Sequence, residues 1–200
     1  YYWIHSDWAY FGGPRLEQIA ERYELKVNHR PVDLATVYAR TGGIKLPYRS
    51  EERKNYRLLE MARFSKLLNM PINLEPRHFC VTGHLPSWFV IAAEAQGHDV
   101  ADLSQAIMTA IWVTDQDAED ESTLVSIANT LGLDGEDLLK RAKDPRTELI
   151  YMRYTNEAIE RGVFGAPFYY FRDEAFWGQD RLDMLDQTIA STRRSSNSGS

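Results

Sequence analysis

The chain contains a single cysteine, Cys80, among its 200 residues. One thiol excludes an internal disulfide, a CxxC redox pair and any cysteine-rich zinc finger. Long apolar runs are missing as well. The longest, residues 88–93, falls far short of the ~20 residues that a membrane-spanning helix requires. Positive charge is not in excess: Lys and Arg total 23 against 29 Asp and Glu, a net charge of −6. No overall basic field therefore draws the chain to nucleic acid or to an anionic membrane. The Walker A loop, the Rossmann glycine fingerprint, the GxSxG elbow and HExxH are also absent, which removes the commonest nucleotide, serine-hydrolase and zinc-protease readings. What remains is globular material, 44% hydrophobic and 26% charged, long enough for one domain carrying a sizeable insertion. The lone thiol suits a reducing, cytoplasmic compartment. The sequence starts at Tyr1, and a leader removed ahead of it would leave no trace.

Residues 1–5 are aromatic and β-branched and stop at Ser6-Asp7, which predicts a buried strand feeding a helix. Leu16, Ile19, Ala20 and Tyr23 share one helical face, and Gly12-Gly13-Pro14 predicts a kink or a late start. Residues 25–32 open with alternation and predict a second strand, followed by a loop over 33–47. From about 50 to 144 the pattern is helical, with segments at 50–68, 86–96, 101–113 and 122–131 and another capped by Asp134. Asp144-Pro145 starts a helix that runs to about 161. Strands follow at 168–171 and 175–177. Asp180 then caps a last helix carrying Leu182, Leu185 and Ile189, and 195–200 reads as a polar linker tail. The order β-α-β, helical block, α-β-β-α predicts an α/β fold. Residues 1–33 and 145–194 form one small mixed-sheet domain, into which 34–144 is inserted as an all-helical block.

The most distinctive segment is Gly162-Val163-Phe164-Gly165-Ala166-Pro167-Phe168. A proline directly before a strand, after two glycines, is a candidate cis peptide. Such a bond leaves the backbone groups of Ala166 unpaired by the sheet and open to a peptide-like ligand. Ser6 sits where a strand feeds a helix, and the exposed N–H groups there favour an anion. Its hydroxyl is a poor nucleophile without a base but can donate to a thiolate; it can equally serve as a plain N-cap. His5, its neighbour in a strand, points to the opposite face. Asp7 would raise the pKa of a thiol beside it and is expected to face solvent. Lys45, Arg49, Arg53, Lys54 and Arg57 form a basic cluster with an i, i+4 repeat. It either captures a carboxylate or forms a solvated face balanced by Glu51, Glu52 and Glu60. His78, Cys80 and His84 fit no common zinc spacing, and nothing predicts a reactive Cys80. Asp115, Asp117 and Glu119 imitate a calcium loop, but Asp120 stands where that loop needs glycine and Ser126 where it needs glutamate; the stretch reads as a solvated acidic turn.

The strand and helix order, with Pro167 between helix and strand, resembles a thioredoxin fold in which Ser6-Asp7-Trp8-Ala9 stands where an oxidoreductase carries CxxC. The helical insertion makes the chain similar to the DsbA-like and kappa-class glutathione transferase branch of that fold. More closely, it resembles the 2-hydroxychromene-2-carboxylate isomerase family over about residues 1–190. The segments that carry this are Ser6-Asp7-Trp8-Ala9-Tyr10, Arg30-Pro31-Val32-Asp33-Leu34, Thr41-Gly42-Gly43, Pro71-Ile72-Asn73-Leu74, Gly162-Val163-Phe164-Gly165-Ala166-Pro167 and Phe176-Trp177-Gly178-Gln179-Asp180-Arg181-Leu182. The resemblance implies glutathione as cofactor, with Ser6 as the catalytic residue that stabilises its thiolate. It implies that Ala166, Pro167, Trp177, Gly178, Gln179 and Asp180 hold glutathione, with Asp180 toward the γ-glutamyl ammonium. The implied reaction is isomerisation of a small aromatic enol or α-keto acid during breakdown of naphthalene-like compounds. Where that family contacts substrate through a lysine, an Asn-Arg pair and a tyrosine, this chain has Tyr38, Tyr48-Arg49 and Phe79, which favours a larger or less anionic substrate. A kappa-like transferase and a non-catalytic thioredoxin-fold binding module stay open as alternatives, and a homodimer is compatible with all three.

Overall fold

The computed structural model describes residues 1–79 and 82–197. Its elements are α1 (Asp7–Arg22), α2 (Leu34–Thr41), α3 (Glu51–Leu68), α4 (His84–Ala95), α5 (Ala101–Trp112), α6 (Glu121–Thr130), α7 (Gly135–Ala142), α8 (Pro145–Glu160), β1 (Phe168–Phe171), β2 (Glu174–Trp177) and α9 (Leu182–Asn197), with short 3₁₀ turns at Leu46–Tyr48 and Gln179–Arg181. The readings that fall on Cys80 and on residues 198–200 lie outside the described residues.

The caps explain where most helices begin. Ser6, Asp33, Ser50, Asp120, Asp134 and Asp144 each accept a backbone N–H from the first turn with a side-chain oxygen. Pro145 occupies the first position of α8, where no N–H is needed. Helix α1 starts directly after Ser6 and runs through Pro14, so the expected late start is corrected. Pro14 has no N–H for the Tyr10 carbonyl, and that oxygen instead receives Gln105 Nε2 of α5 at 3.3 Å. The interrupted helix is thereby tied to a neighbour.

The sheet is smaller than the sequence pattern suggests. β1 and β2 pair antiparallel, with Phe168 opposite Trp177 and Phe171 opposite Glu174. Residues 1–5 and 25–32 are not strands. They meet in one parallel bridge, Tyr2 to Pro31, where Tyr2 N donates to Arg30 O at 3.0 Å and Val32 N to Tyr2 O at 2.9 Å. On its other side Tyr1 exchanges two backbone bonds with Phe168, both 2.8 Å. The segment order across the sheet is therefore 30–32, 1–3, β1, β2. A turn bonding Ser6 N to Trp3 O ends the first segment early. Residues 25–30 line a cavity of about 380 Å³ between α1, α5 and β1, so their alternation reports two environments but no partner strand.

Three further expectations are corrected. The loop over 33–47 contains α2, capped by Asp33 and closed by Gly42 in the left-handed region. Asp180 does not cap the last helix, because the 3₁₀ turn begins at Gly178, carries Asp180 inside it and has no side-chain cap bond. The tail expected from residue 195 is helical to Asn197.

Helix α4 is the hub of the packing. Its Phe89, Val90, Ile91, Ala92 and Ala93 are all buried, and it packs against α5, α7 and α8. Burying a side chain such as Phe89 contributes roughly 1.5–3 kcal/mol. Helix α2 packs on α8 through a cluster that includes Val32, Leu34, Val37, Tyr151 and Tyr154. Helix α1 touches α3, α5, α9 and the 3₁₀ turn at Gln179–Arg181. Its N-terminus is thus fixed from several sides.

Candidate active site

A cleft of about 760 Å³ opens at the N-terminus of α1. Ser6, Ala166 and the Trp177–Arg181 segment line it, together with Tyr38, Lys45, Arg49, Arg53, Arg57, Phe64 and Phe79. Segments far apart in sequence therefore share one space.

Ser6 is 5% exposed. Its Oγ accepts the Ala9 N–H at 3.2 Å and reaches the Ala166 carbonyl only at 3.5 Å. The cap uses a lone pair and leaves the hydroxyl proton weakly engaged, free to be donated to an anion in the cleft. The Ala166–Pro167 peptide is cis. Among the described residues no hydrogen bond from the Ala166 N–H is found. Ala166 faces the cleft, whereas Pro167 lines the smaller cavity; Pro167 O accepts Gly178 N at 3.0 Å and so holds the next turn in register.

That turn is built by close approach. A Cβ at Gly165 would lie 2.4 Å from Trp177 Nε1, and one at Gly178, whose φ is +94°, would lie 2.6 Å from Asp180 Oδ1. Asp180 is half-exposed and pairs with Arg181 at 2.9 Å. The 3₁₀ turn relieves it of capping, and a cationic group of a ligand would share its carboxylate with Arg181. Gln179 is 2% exposed, and its side-chain oxygen Oε1 accepts Arg15 Nη1 of α1 at 2.9 Å. Gly165→Ala is expected to swing the Trp177 ring out of place with little change in the unfolding midpoint, since Trp177 is half-exposed. A displaced Trp177 indole N–H resonance is the check.

Much of the rest of the lining is aromatic and cationic. Arg49 donates from Nε to Ile44 O at 2.9 Å and from Nη2 to the Tyr38 hydroxyl at 3.3 Å, which holds its planar head at the cleft. Phe79 packs on Trp112, with centroids 4.8 Å apart. Tyr48 is 80% exposed and is not among the lining residues. It stands at the end of the 3₁₀ turn Leu46–Tyr48, next to Arg49. Lys54 pairs with Glu51 on the helix surface, so the basic cluster splits between a solvated face and the cleft.

Asp7 does not face solvent. Its side chain is 7% exposed and lies 2.8 Å from Arg57 of α3. Burial pushes its carboxyl up, and the Arg57 guanidinium pulls it back. The inward turn of Asp7 and the contributions of Trp3, Trp8, Phe64 and His84 to the cleft escaped the sequence reading. His5 is fully buried and does not line the cleft; it stacks on Trp3 with centroids 5.4 Å apart. No group of metal-binding side chains is found among the described residues, and no helix there is long and apolar enough to cross a membrane.

A family model described as a DSBA-like thioredoxin domain matches residues 1–190. The 2-hydroxychromene-2-carboxylate isomerase of Sphingobium xenophagum is 28% identical over 194 residues, covering 94% of this chain and 95% of its own. That of Pseudomonas putida is 27% identical over 190 residues, covering 94% and 92%. Among solved structures, selenomethionine 2-hydroxychromene-2-carboxylate isomerase superposes with a TM-score of 0.83 at 25% identity, over 100% of this chain and 97% of the other. With its small antiparallel sheet, its many helices and its cleft at the head of α1, the chain belongs to the DsbA-like thioredoxin domain family and has that fold.

Proposed function

We propose that the protein is a glutathione-dependent isomerase of the 2-hydroxychromene-2-carboxylate type. The observation that carries this reading is the meeting of Ser6, Ala166 and the Trp177–Arg181 segment in one cleft with an aromatic, cationic wall. Isomerase relatives matching nearly the full chain support it. The residues suit glutathione. Ala166 offers backbone groups to a cysteinyl unit, Asp180 offers a carboxylate to the γ-glutamyl ammonium, and Gly178 turns the chain at φ +94°, a conformation that other residues rarely adopt.

The chemistry that glutathione brings when bound is a sulfur nucleophile for reversible addition to a conjugated aromatic acid, which frees rotation about a former double bond. The chain's own part is positioning and charge. Ser6 donates a hydrogen bond to the sulfur, keeping its own proton, and the N-terminus of α1 adds its partial positive charge there. Arg49 takes the substrate carboxylate, while Tyr38 and Phe79 offer aromatic surface to the ring. Tyr38, with one hydroxyl already accepting from Arg49, favours a larger or less anionic aromatic substrate than a lysine would.

Calorimetric titration of glutathione, with and without a hydroxychromene carboxylate or a larger aromatic homologue, tests the reading together with product analysis. Isomer formation without glutathione consumption is expected. Consumption of one glutathione per turnover marks a transferase instead, and absence of binding leaves a plain binding module. Arg49→Ala is expected to raise KM for a carboxylate substrate by about 10- to 100-fold, the loss of one charged hydrogen bond at ~1.5–3 kcal/mol. Steady-state kinetics check it, with kcat expected to change little.

A further inference from the structure

Asp7 is the first residue of α1, so its carboxylate occupies the same positive helix end that favours an anion at Ser6. Left alone, it would compete with a thiolate for that end and repel it. The chain meets this with a residue fifty positions away. Arg57 reaches from α3 to within 2.8 Å of Asp7 Oδ2. Its guanidinium lies over two rings, 5.1 Å from the centroid of Phe79 and 5.7 Å from that of Trp112, which fixes it in place. The contact is a close ion pair without hydrogen-bond alignment: neither Asp7 Oδ2 nor Arg57 Nη2 has a hydrogen-bond partner among the described residues. Both side chains line the cleft.

We propose that the Asp7–Arg57 pair is a positioning device that sets how readily a thiol ionises at Ser6. Arg57 confines the charge of Asp7, so the helix end and the Ser6 hydroxyl act on the sulfur unopposed. Asp7 in turn keeps Arg57 from drawing the substrate carboxylate onto the sulfur site. The proton released from the thiol passes to solvent through the open cleft. This role rests on the thiol chemistry proposed above.

Other carboxylates around the cleft are already committed. Glu60 is held by Arg63 at 2.6 Å, Asp180 by Arg181, and Asp33 caps α2. Lys45, Arg49 and Arg53 line it as well. His84 is stacked on Trp88, with centroids 5.9 Å apart.

The test is the pH midpoint of thiolate formation by bound glutathione, read as thiolate ultraviolet absorbance at saturating glutathione. Binding is measured separately by calorimetry. Arg57→Met is expected to move that midpoint up by about one pH unit or more, and Asp7→Asn to move it down by a similar amount. The double variant Asp7→Asn/Arg57→Met, which leaves no unpaired charge, is expected to return close to the unmodified protein. It also keeps the test open if Arg57→Met alone fails to fold, because Asp7→Asn and the double variant must still differ. Glutathione binding with an unmoved midpoint in Asp7→Asn, equal to that of the double variant, overturns the role of the pair. An unmodified protein that takes up no glutathione overturns the thiol reading itself.

Discussion

Replacing Ser6 with alanine is expected to lower turnover by about 10²-fold or more while the fold stays intact. The Oγ accepts from Ala9 N at 3.2 Å, so the cap consumes acceptor capacity only. The proton is held loosely, with Ala166 O at 3.5 Å as its acceptor among the described residues. A buried donor aimed at developing charge is worth far more than one in water, and loss of such a donor typically costs about 10²–10³ in rate. The cap itself contributes about 1 kcal/mol to α1, so Ser6→Ala is also expected to lower the unfolding midpoint modestly. The two effects separate in measurement. Turnover at saturating glutathione reports the donor, and thermal unfolding reports the cap. An unchanged rate at saturating glutathione would leave Ser6 as a cap and nothing more.

Features written in a few adjacent residues were legible in the sequence. Ser50, Asp134 and Asp144-Pro145 mark helix starts because capping is a local exchange between a side chain and the next turn. The strands at 168–171 and 174–177 are legible because runs of aromatic residues flank a short polar turn. The helix over residues 34–41 was equally local, with Asp33 before it, Leu34, Val37 and Tyr38 on one side and Gly42 at its end. The double glycine drew attention away from that cap. Residues 1–5 and 25–32 were overstated, since alternation describes which side chains are covered and says nothing about the length of a ladder.

The site divides in the same way. Ser6, Ala166 and the Trp177–Arg181 turn belong to compact motifs, and the fold brings all of them to one cleft. The sequence around Asp7 carries only its effect on a neighbouring thiol, which points it to solvent. Its partner Arg57 lies on another helix and sits over rings from two further segments. No spacing rule links those residues. Gln179 shows the converse, a residue inside the right motif whose side-chain oxygen accepts Arg15 of α1. Tyr48 adjoins Arg49 in sequence, yet Arg49 lines the cleft and Tyr48 is exposed.

A marked loss of stability in acid is expected from His5. The ring is fully buried, it is stacked on Trp3, and neither nitrogen has a hydrogen-bond partner among the described residues. Glu119 approaches Nε2 only to 3.9 Å. Burial lowers the His5 pKa from 6.5 to about 4, and the charge of Asp117 opposes that shift only in part. The unfolded chain takes up the proton at an ordinary histidine pKa, ~6.5, whereas the folded protein resists it until about pH 4. Between those values the unfolded state binds more protons, so stability rises with pH. His5 therefore costs nothing above about pH 6.5, and stability is lost as the pH falls toward 4, by about 2 to 3 kcal/mol in all. Urea unfolding at about pH 7.5 and about pH 4.5, for the unmodified protein and for His5→Asn, measures it. Other groups titrate alike in both proteins and cancel in the comparison. The unmodified protein is expected to lose about 2 to 3 kcal/mol more than the variant between the two conditions. Equal losses would mean that the imidazole finds a proton acceptor in the folded state, with Glu119 the nearest carboxylate to supply it.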